Sequence, residues 1–346
     1  MTPKEFFQNL RYAFRPNKPM LFFRLAGAVL KSIIFRSPPL RYVDFAIDFA
    51  CNLRCEHCFA ESLKCPGKRR MIPADYARVA RAAMSLGTVN FSFQGGEPLL
   101  CKDLEKVIKA VRPSLNIISV TTNGTLLTPK RIQELKAWGV DILTVSLDSG
   151  IPEEHDRFRG IQGSFSSTVS GIEDALQAGL RVTIGAVVTH TNIAGLGMKA
   201  LMDFAEKRRL MLYLILPVPA GRWQKKHHEI ALTPDDLALL DTYTARSSLI
   251  RTDFQANLGG RGCGAVKEIL YLTPYGDVLA CPFLHISLGN IFDEPLATIR
   301  SRARSNRWFA TYHQKCLAST DEAFLRDHLS KTFTDKQLPL PWQSVF

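Results

Sequence analysis

The chain has 346 residues and a net charge of +12, with 46% hydrophobic and 22% charged residues. This composition predicts a folded protein with a substantial core and excludes a disordered chain. The eight cysteines are too few and too unevenly spaced for the disulfide framework of a small secreted protein. The positive charge favours acidic partners, but no basic stripe interleaved with aromatic residues predicts nucleic-acid binding. Neither terminus shows a secretory signal, so we expect a cytoplasmic protein.

Residues 1–42 form a basic opening segment, with eight Lys or Arg residues and one acid. Within it, residues 19–35 predict an apolar helix that Arg24 and Lys31 interrupt and that is shorter than the roughly 20 residues of a membrane span. Two arrangements fit this helix. It lies in a membrane interface at the inner membrane face, with basic residues at the headgroups, or it packs on the protein with its charges reaching water. The flanking basic residues are Lys18, Arg36 and Arg41.

Strand-like and helix-like segments alternate from residue 43 to residue 255. The predicted strands are 43–49, 89–94, 117–122, 142–147, 182–188 and 211–216, and the predicted helices are 73–86, 103–112, 128–138, 165–179, 195–208 and 233–249. Six β/α units in succession predict a parallel sheet with helices outside. We therefore expect an α/β fold, a partial (β/α)6 TIM-type barrel. Polar residues alternate with apolar ones along the strands, which predicts a polar cavity inside the barrel.

The pattern changes after residue 255. A glycine-rich break at 259–262 precedes a predicted hairpin of strands 268–273 and 278–281, and a helix is predicted near 295–309. We expect a small C-terminal α+β subdomain over residues 256–330 and a tail over 331–346.

A cluster of three cysteines directly follows the first predicted strand. Cys51, Cys55 and Cys58 stand at the C-terminal rim of the barrel, where the chemistry of such folds is found. Their spacing lets one loop hold three corners of a [4Fe–4S] cluster and leaves one iron open to a small molecule. The alternatives are a zinc site, which would want a fourth ligand, and inert cysteines.

The next strand ends in a second short motif, Gly95, Gly96, Glu97 and Pro98. Two glycines allow the backbone to approach a ligand closely, and Glu97 can accept a hydrogen bond from an ammonium group. Alone, the motif would fit an ordinary strand-to-helix turn. Beside the cysteine loop, it predicts a binding site.

Together these motifs resemble the radical S-adenosylmethionine (SAM) superfamily over residues 43–220. The resemblance implies that residues 95–97 engage the methionyl amino group of SAM. It also implies that three polar residues at the ends of later strands lie near the SAM carboxylate or ribose, namely Asn123, Ser146 and Asp148. The segments 121–124, 146–148, 159–160 and 163–165 resemble the branch that contains molybdenum-cofactor and peptide-modifying enzymes.

A second cysteine group lies downstream and has the spacing CX12GX4C. Cys263, Gly276 and Cys281 form this motif, and Cys316 follows the predicted helix. It resembles the SPASM and twitch auxiliary-cluster domains, and three cysteines fit the shorter twitch form with one iron–sulfur cluster. The identity of the fourth ligand is left undecided between two alternatives. Serine stands at position 319, where some twitch domains have cysteine, so the iron is open to substrate or is reached by another cysteine, with Cys65 and Cys101 the candidates.

The resemblance implies an enzyme in which a reduced [4Fe–4S] cluster cleaves SAM and the resulting 5′-deoxyadenosyl radical takes hydrogen from a substrate. We expect dehydrogenation or bond formation on a peptide, sugar or lipid-linked molecule, with a reducing partner such as flavodoxin or ferredoxin. The alternative is a non-catalytic iron–sulfur electron-transfer protein, for which the motif at residues 95–98 and the polar cavity would serve no purpose.

Overall fold

The strands of the barrel follow one another in the order of the chain. The computed structural model describes residues 18–34, 38–253 and 262–346. Seven parallel strands lie side by side: β1 (Tyr42–Asp48), β2 (Asn90–Gly95), β3 (Ile117–Thr122), β4 (Ile142–Ser146), β5 (Arg181–Val187), β6 (Met211–Ile215) and the short β7 (Ile250–Thr252). The predicted partial TIM-type barrel is confirmed, with one short strand beyond the six predicted.

Helices connect these strands across the outside of the sheet. Helix α1 (Pro19–Ile34) precedes β1, and the connecting helices are α2 (Pro73–Ser85), α3 (Leu104–Ala110), α4 (Pro129–Trp138), α5 (Pro152–Arg159), α6 (Ser164–Gln177), α7 (Leu196–Lys207), α8 (His227–Ile230) and α9 (Pro234–Arg246). Helix α4 begins where the sequence predicts, because Thr128 caps it by accepting from the Arg131 backbone N–H and Pro129 fits the first turn. Helix α5 was not predicted, because its eight mostly polar residues show no apolar periodicity.

The C-terminal region extends the barrel sheet on the other side of β1. Strand β8 (Ile269–Leu272) pairs with β1 in parallel, and β9 (Asp277–Leu279) pairs with β8 in antiparallel orientation. Further elements are β10 (Ile286–Asn290), α10 (Leu296–Ser305), α11 (Arg307–Ala310), α12 (Glu322–Asp327) and β11 (Leu340–Pro341). The predicted hairpin is therefore present and continues the barrel sheet, while the proposed domain boundaries remain predictions, and part of the break at 259–262 lies outside the described residues.

The two faces of the barrel strands differ in the way the sequence predicts. On the outer face, the Phe45 ring lies 6.0 Å from that of Phe91 and 5.1 Å from that of Tyr76. Burying each such ring stabilises the fold by about 1.5–3 kcal/mol. On the inner face, Asp44 is buried and hydrogen-bonds with Ser92, and burial raises the pKa of Asp44 to about 7. The interior of the barrel is therefore polar.

Helix α1 covers the N-terminal ends of the strands, away from the cysteine loop. Its Leu21 packs with residues that begin or precede β2, β3 and β4. Lys18 is buried and pairs with Asp141, and Arg24 donates to the backbone oxygens of Leu115 and Thr88. The expectation that Lys18 and Arg24 face lipid headgroups or water is therefore wrong, because both cations satisfy polar groups of the barrel. Residues 35–37, which include Arg36, lie outside the described residues.

The outer face of α1 is unusually apolar. Five of the nine large hydrophobic side chains that are exposed in the described residues lie on this helix: Met20, Phe22, Phe23, Leu30 and Ile34. Within the described part of the chain, no helix has both the length and the hydropathy to cross a membrane.

Candidate active site

The loop that carries Cys51, Cys55 and Cys58 leaves β1 and ends at a 3-10 helix, Phe59–Leu63. Burial raises the pKa of the Cys51 thiol, and the nearby Cys55 and Cys58 thiols raise it further. Burial and Cys55 likewise raise the pKa of Cys58. The three thiols therefore lie close enough to repel one another as thiolates. A positively charged iron core between them would offset this repulsion.

The end of β2 lies directly against this loop. The Gly96 backbone N–H donates to the backbone carbonyl oxygen of Asp48 at 2.8 Å. The Glu97 backbone N–H donates to the backbone carbonyl oxygen of Ala50, also at 2.8 Å. A Cβ atom on Gly95 would stand 2.2 Å from the Asp48 oxygen, and one on Gly96 would stand 2.1 Å from the Ala50 oxygen. Only glycine fits at either position, so the two glycines bring the strand end and the cysteine loop together.

Glu97 lies beneath the site and does not line the cavity. Its carboxylate accepts from the backbone N–H groups of Leu99 and Asn123 and from the Thr122 hydroxyl, at 2.8–3.0 Å. Burial raises the pKa of Glu97, while these hydrogen bonds oppose the shift. The carboxylate thus fixes the loop after β3, and its predicted contact with a SAM ammonium group stays a prediction. Pro98 is also buried and begins a short 3-10 helix.

Asn123 and Ser146 both line the cavity, as expected for residues at the ends of β3 and β4. The Asn123 side chain donates to the Asn52 side chain at 2.9 Å and accepts from the Thr125 hydroxyl at 2.7 Å. Because Asn52 follows Cys51, this contact ties the cysteine loop to the loop after β3.

Asp148 is buried behind the cavity wall and holds an arginine that does reach the cavity. Its carboxylate lies 2.6 Å from Arg159 Nε and accepts from the Val187 backbone N–H at 2.9 Å. Burial alone would raise the pKa of Asp148, but Arg159 and other neighbours hold it below its ordinary value. Arg159 Nη1 in turn donates to Cys55 Sγ at 3.7 Å. The Arg–Gly pair at 159–160 is part of the predicted family resemblance, but this role of Arg159 was not predicted.

His57 shapes the cysteine loop from within. Its ring stacks on that of Phe158 with centroids 4.4 Å apart, and the Glu56 backbone N–H donates to the Phe158 oxygen at 3.1 Å. Burial lowers the pKa of His57 to about 3, so the imidazole is neutral at physiological pH. His57 therefore packs the loop onto α5 as an aromatic side chain.

These elements enclose a cavity of about 340 Å³ at the C-terminal ends of the strands. Seven of the predicted site residues line it: Cys51, Cys55, Cys58, Gly95, Gly96, Asn123 and Ser146. Its charged lining consists of four cations and one acid, Arg54, Lys64, Arg159, Arg222 and Glu61. Apolar residues complete the wall, among them Ile215, Val218, Trp223 and Phe283. The cavity thus combines a thiol-rich side with a basic and an apolar side.

The downstream cysteines form a second group. Cys263 and Cys281 each act on the Cys316 thiol, whose pKa is raised well above its ordinary value, chiefly by burial. Burial raises the pKa of Cys281 to about 12. Phe283, two residues beyond Cys281, meets Phe59 edge to face at 5.3 Å, so a pair of rings connects the two cysteine groups. Within residues 18–34, 38–253 and 262–346, no three His, Cys, Asp or Glu side chains converge to hold a single metal ion.

Two family models match the chain. The model of the radical SAM superfamily matches residues 49–206, and that of an iron–sulfur cluster-binding domain, SPASM, matches residues 263–319. The first match contains the cysteine loop and both glycines. The second contains all three downstream cysteines.

Curated relatives carry the names of different enzymes. The AdoMet-dependent heme synthase of Nitratidesulfovibrio vulgaris is 25% identical over 313 residues, which are 81% of this chain and 84% of that protein. The probable GTP 3′,8-cyclase of Methanococcus aeolicus is 34% identical over 194 residues, or 55% of this chain and 63% of that protein. The second match is closer in sequence but spans less than two thirds of the relative.

Solved structures share the fold. Streptococcus suis SuiB bound to S-adenosylmethionine superposes with a TM-score of 0.62 at 20% identity, covering 85% of this chain and 74% of SuiB. Native anSMEcpe with bound AdoMet gives a TM-score of 0.62 at 21% identity, covering 87% of this chain and 92% of that chain.

Proposed function

The chain belongs to the radical SAM superfamily and is an enzyme with a SPASM-type domain, and from this premise we propose that the cavity at the cysteine loop cleaves SAM and exposes a substrate to the resulting radical. The cofactors are a [4Fe–4S] cluster, SAM and an auxiliary iron–sulfur cluster. When reduced, the first cluster supplies the electron that breaks the sulfonium–carbon bond and yields the 5′-deoxyadenosyl radical.

One observation carries this proposal: the cysteine loop and the end of β2 share one cavity with Asn123 and Ser146. In it, Cys51, Cys55 and Cys58 would hold the cluster and leave one iron for SAM. Gly95 and Gly96 keep this part of the cavity wall free of side chains. The methionyl part of SAM can therefore approach the cysteine loop.

The buried carboxylates serve this site by positioning other groups. Glu97 orders the loop that carries Asn123, and Asp148 orders Arg159 beside Cys55. The Arg159 guanidinium therefore places a positive charge beside Cys55, a proposed cluster ligand.

The substrate we propose is anionic with an apolar portion. The four cations of the cavity outnumber the two acids paired with them, Glu61 in the lining and Asp148 behind it. Trp223 and Phe283 offer apolar contact area. This class includes carboxylated or phosphorylated sugars, peptides and lipid-linked molecules. Two of the relatives are named for heme synthesis and for cyclisation of GTP. A low-potential donor such as flavodoxin or ferredoxin would supply the electron.

The test is anaerobic reconstitution, reduction with dithionite and measurement of 5′-deoxyadenosine formed from SAM. The protein should form it even without substrate, and Cys55→Ala should abolish it. Cys101→Ala is a matched control, because Cys101 is half-buried against the core and is not among the residues that line the cavity. A protein that binds iron but leaves SAM intact would contradict the proposal.

Iron content tests the two-cluster arrangement. Two cubanes predict about eight irons per chain, and replacing Cys263, Cys281 and Cys316 by Ala should leave about four. Some SAM cleavage should survive in that triple variant, because the first cluster and its glycines are unchanged. A triple variant that keeps all of its iron would contradict the assignment of these cysteines.

We also propose that α1 binds an anionic membrane surface through its apolar outer face. Its inner side is anchored to the barrel by Lys18, Leu21 and Arg24, which leaves Phe22 and Phe23 turned outward. Residues 1–42 contain eight basic residues and one acid, of which Lys18, Arg24 and Arg41 bind polar groups of the folded protein. Each of the remaining five would add about 1 kcal/mol near an anionic surface. Peripheral binding would bring a lipid-linked substrate to the enzyme.

A further inference from the structure

A short 3-10 helix, Gly221–Trp223, follows β6 and contacts the cysteine loop through its backbone. The Arg222 backbone N–H donates to the backbone oxygen of Cys58 at 3.1 Å. A Cβ atom on Gly221 would stand 2.1 Å from that same oxygen and 2.6 Å from the Phe59 Cα atom, so only glycine fits there. The helix and the loop are therefore in close backbone contact at the third cysteine.

The Arg222 side chain reaches an earlier part of the same loop. Its Nη1 atom donates to the backbone oxygen of Arg54 at 3.0 Å and to that of Cys55 at 3.3 Å. Its Nη2 atom lies 3.5 Å from the Glu61 carboxylate. One residue thus contacts the loop at three places, since its backbone also binds the Cys58 oxygen.

The end of helix α5 contacts the same stretch of the loop. The Arg54 backbone N–H donates to the Arg159 oxygen at 3.2 Å, and a Cβ atom on Gly160 would stand 2.5 Å from the Arg54 oxygen. The Arg159 side chain donates to Cys55 Sγ at 3.7 Å. Two elements of the barrel rim therefore contact the loop, and each brings an arginine to Cys55, one to its sulfur and the other to its backbone oxygen.

The two arginines differ in how their charge is balanced. Arg159 is buried and pairs with the buried Asp148 at 2.6 Å. Arg222 is 37% exposed on the cavity wall, and its carboxylate partner Glu61 is exposed and also binds Lys64 at 2.9 Å. An exposed ion pair of this length is weak. The Arg222 charge is therefore only weakly compensated by Glu61, while its Nη1 edge is held by the loop.

We propose that Arg222 is a positioning residue for SAM cleavage, which fixes the cysteine loop through the Arg54 and Cys55 oxygens and favours the reduced cluster through its charge. Hydrogen bonds and net charge around an iron–sulfur cluster set its reduction potential. The inference rests on the proposed function, because it presupposes the cluster at this loop. It is separate from attraction of an anionic substrate, so it is measurable with SAM alone.

The experiment uses the full chain with Ala at 263, 281 and 316 as the parent, so that a single cluster is observed. Into it are introduced, separately, Arg222→Met, Arg222→Lys and the control Lys225→Met. Lys225 lies in the same segment, but it is 75% exposed and pairs with Asp335 at 3.7 Å. The measurements are iron per chain, the Kd for SAM and the reduction potential, the last from a redox titration followed by electron paramagnetic resonance (EPR).

All variants should keep about four irons, because the three loop cysteines are unchanged. Loss of two hydrogen bonds from a charged but partly exposed donor predicts that Arg222→Met raises the Kd for SAM by roughly tenfold. Its ratio of oxidised to reduced cluster should also rise by about tenfold, which is about 59 mV for one electron. Arg222→Lys keeps the charge and should restore the potential, but its single ammonium group should restore the SAM affinity only in part. Lys225→Met should match the parent.

Parent values of both quantities in Arg222→Met would overturn the inference, as would equal shifts in Lys225→Met. A potential in Arg222→Lys as low as in Arg222→Met would show that the charge has no part in it. Loss of iron in both Arg222 variants would show a purely structural role, whereas loss in Arg222→Met that Arg222→Lys restores would support the loop contact. A parent that binds iron but leaves SAM intact would overturn the proposed function itself, and the role of Arg222 with it.

Discussion

Replacing Gly96 by Ala tests the close approach of β2 to the cysteine loop. The added Cβ would stand 2.1 Å from the Ala50 oxygen and 2.7 Å from the Ala50 carbonyl carbon, where real Cβ atoms keep at least 3.0 Å. The loop must therefore retreat by about 0.9 Å at Ala50. The obstacle is backbone on both sides, so no side-chain rotation relieves it.

The expected cost follows from what must move. Overpacking against rigid neighbours costs about 1–3 kcal/mol. The backbone hydrogen bonds from Gly96 to Asp48 and from Glu97 to Ala50 would also lengthen, and each is worth about 0.5–1.5 kcal/mol. If about 3 kcal/mol of this cost appears in SAM binding, affinity falls by roughly a hundredfold.

The assay measures iron per chain, the Kd for SAM and the rate of 5′-deoxyadenosine formation under anaerobic conditions. Gly185→Ala is the matched control, because Gly185 lines the same cavity but its Cβ would meet only Ile215 at 3.4 Å and Thr144 at 3.7 Å. The control should keep its iron and its SAM cleavage. Wild-type iron content and SAM affinity in Gly96→Ala would refute the reasoning.

Three further predictions concern the interior and the N-terminal helix. Asp44→Asn should stabilise the protein at pH 8 but not near pH 4. The pKa of Asp44 is about 7 in the folded protein and 3.8 in the unfolded chain, so the stability of the wild type falls by about 1.4 kcal/mol per pH unit between those values. Melting temperatures of the two proteins that run parallel as the pH changes would contradict this prediction. Asp148→Asn should destabilise the fold by about 3–5 kcal/mol by leaving its arginine partner buried without a counter-charge, and an unchanged denaturation midpoint would refute it. The double substitution Phe22→Ser and Phe23→Ser should remove co-sedimentation with anionic liposomes. The control Leu196→Ser should not, because Leu196 is 72% exposed but lies on α7 and not on α1. Equal binding of the two variants would contradict the membrane proposal.

The sequence predicted the barrel well because its signals are local. The alternation of polar and apolar residues locates the first four strands, Pro73 locates the start of α2, and Thr128 with Pro129 locates the start of α4. Helix α5 was missed because it is short and polar. The addition of β8 to the edge of β1 was also missed, since no local pattern reports a pairing between residues more than 200 positions apart.

The site residues divide in the same way. Adjacent motifs such as the cysteine loop and the glycines at 95 and 96 are visible in the sequence, and the structure brings them to one cavity. The structure gives other roles to residues whose partners lie far along the chain. Arg24 reaches backbone oxygens rather than water, and Asp148 orients Arg159.

The most direct test of the central claim is whether SAM alters the cluster held by Cys51, Cys55 and Cys58. The measurement uses the variant with Ala at 263, 281 and 316, so that a single reduced cluster gives the EPR spectrum. Our account predicts that added SAM changes this spectrum, because one iron is open to the SAM amino and carboxylate groups. It also predicts that Gly96→Ala in the same background weakens the change. A spectrum that saturating SAM leaves unchanged would contradict the account.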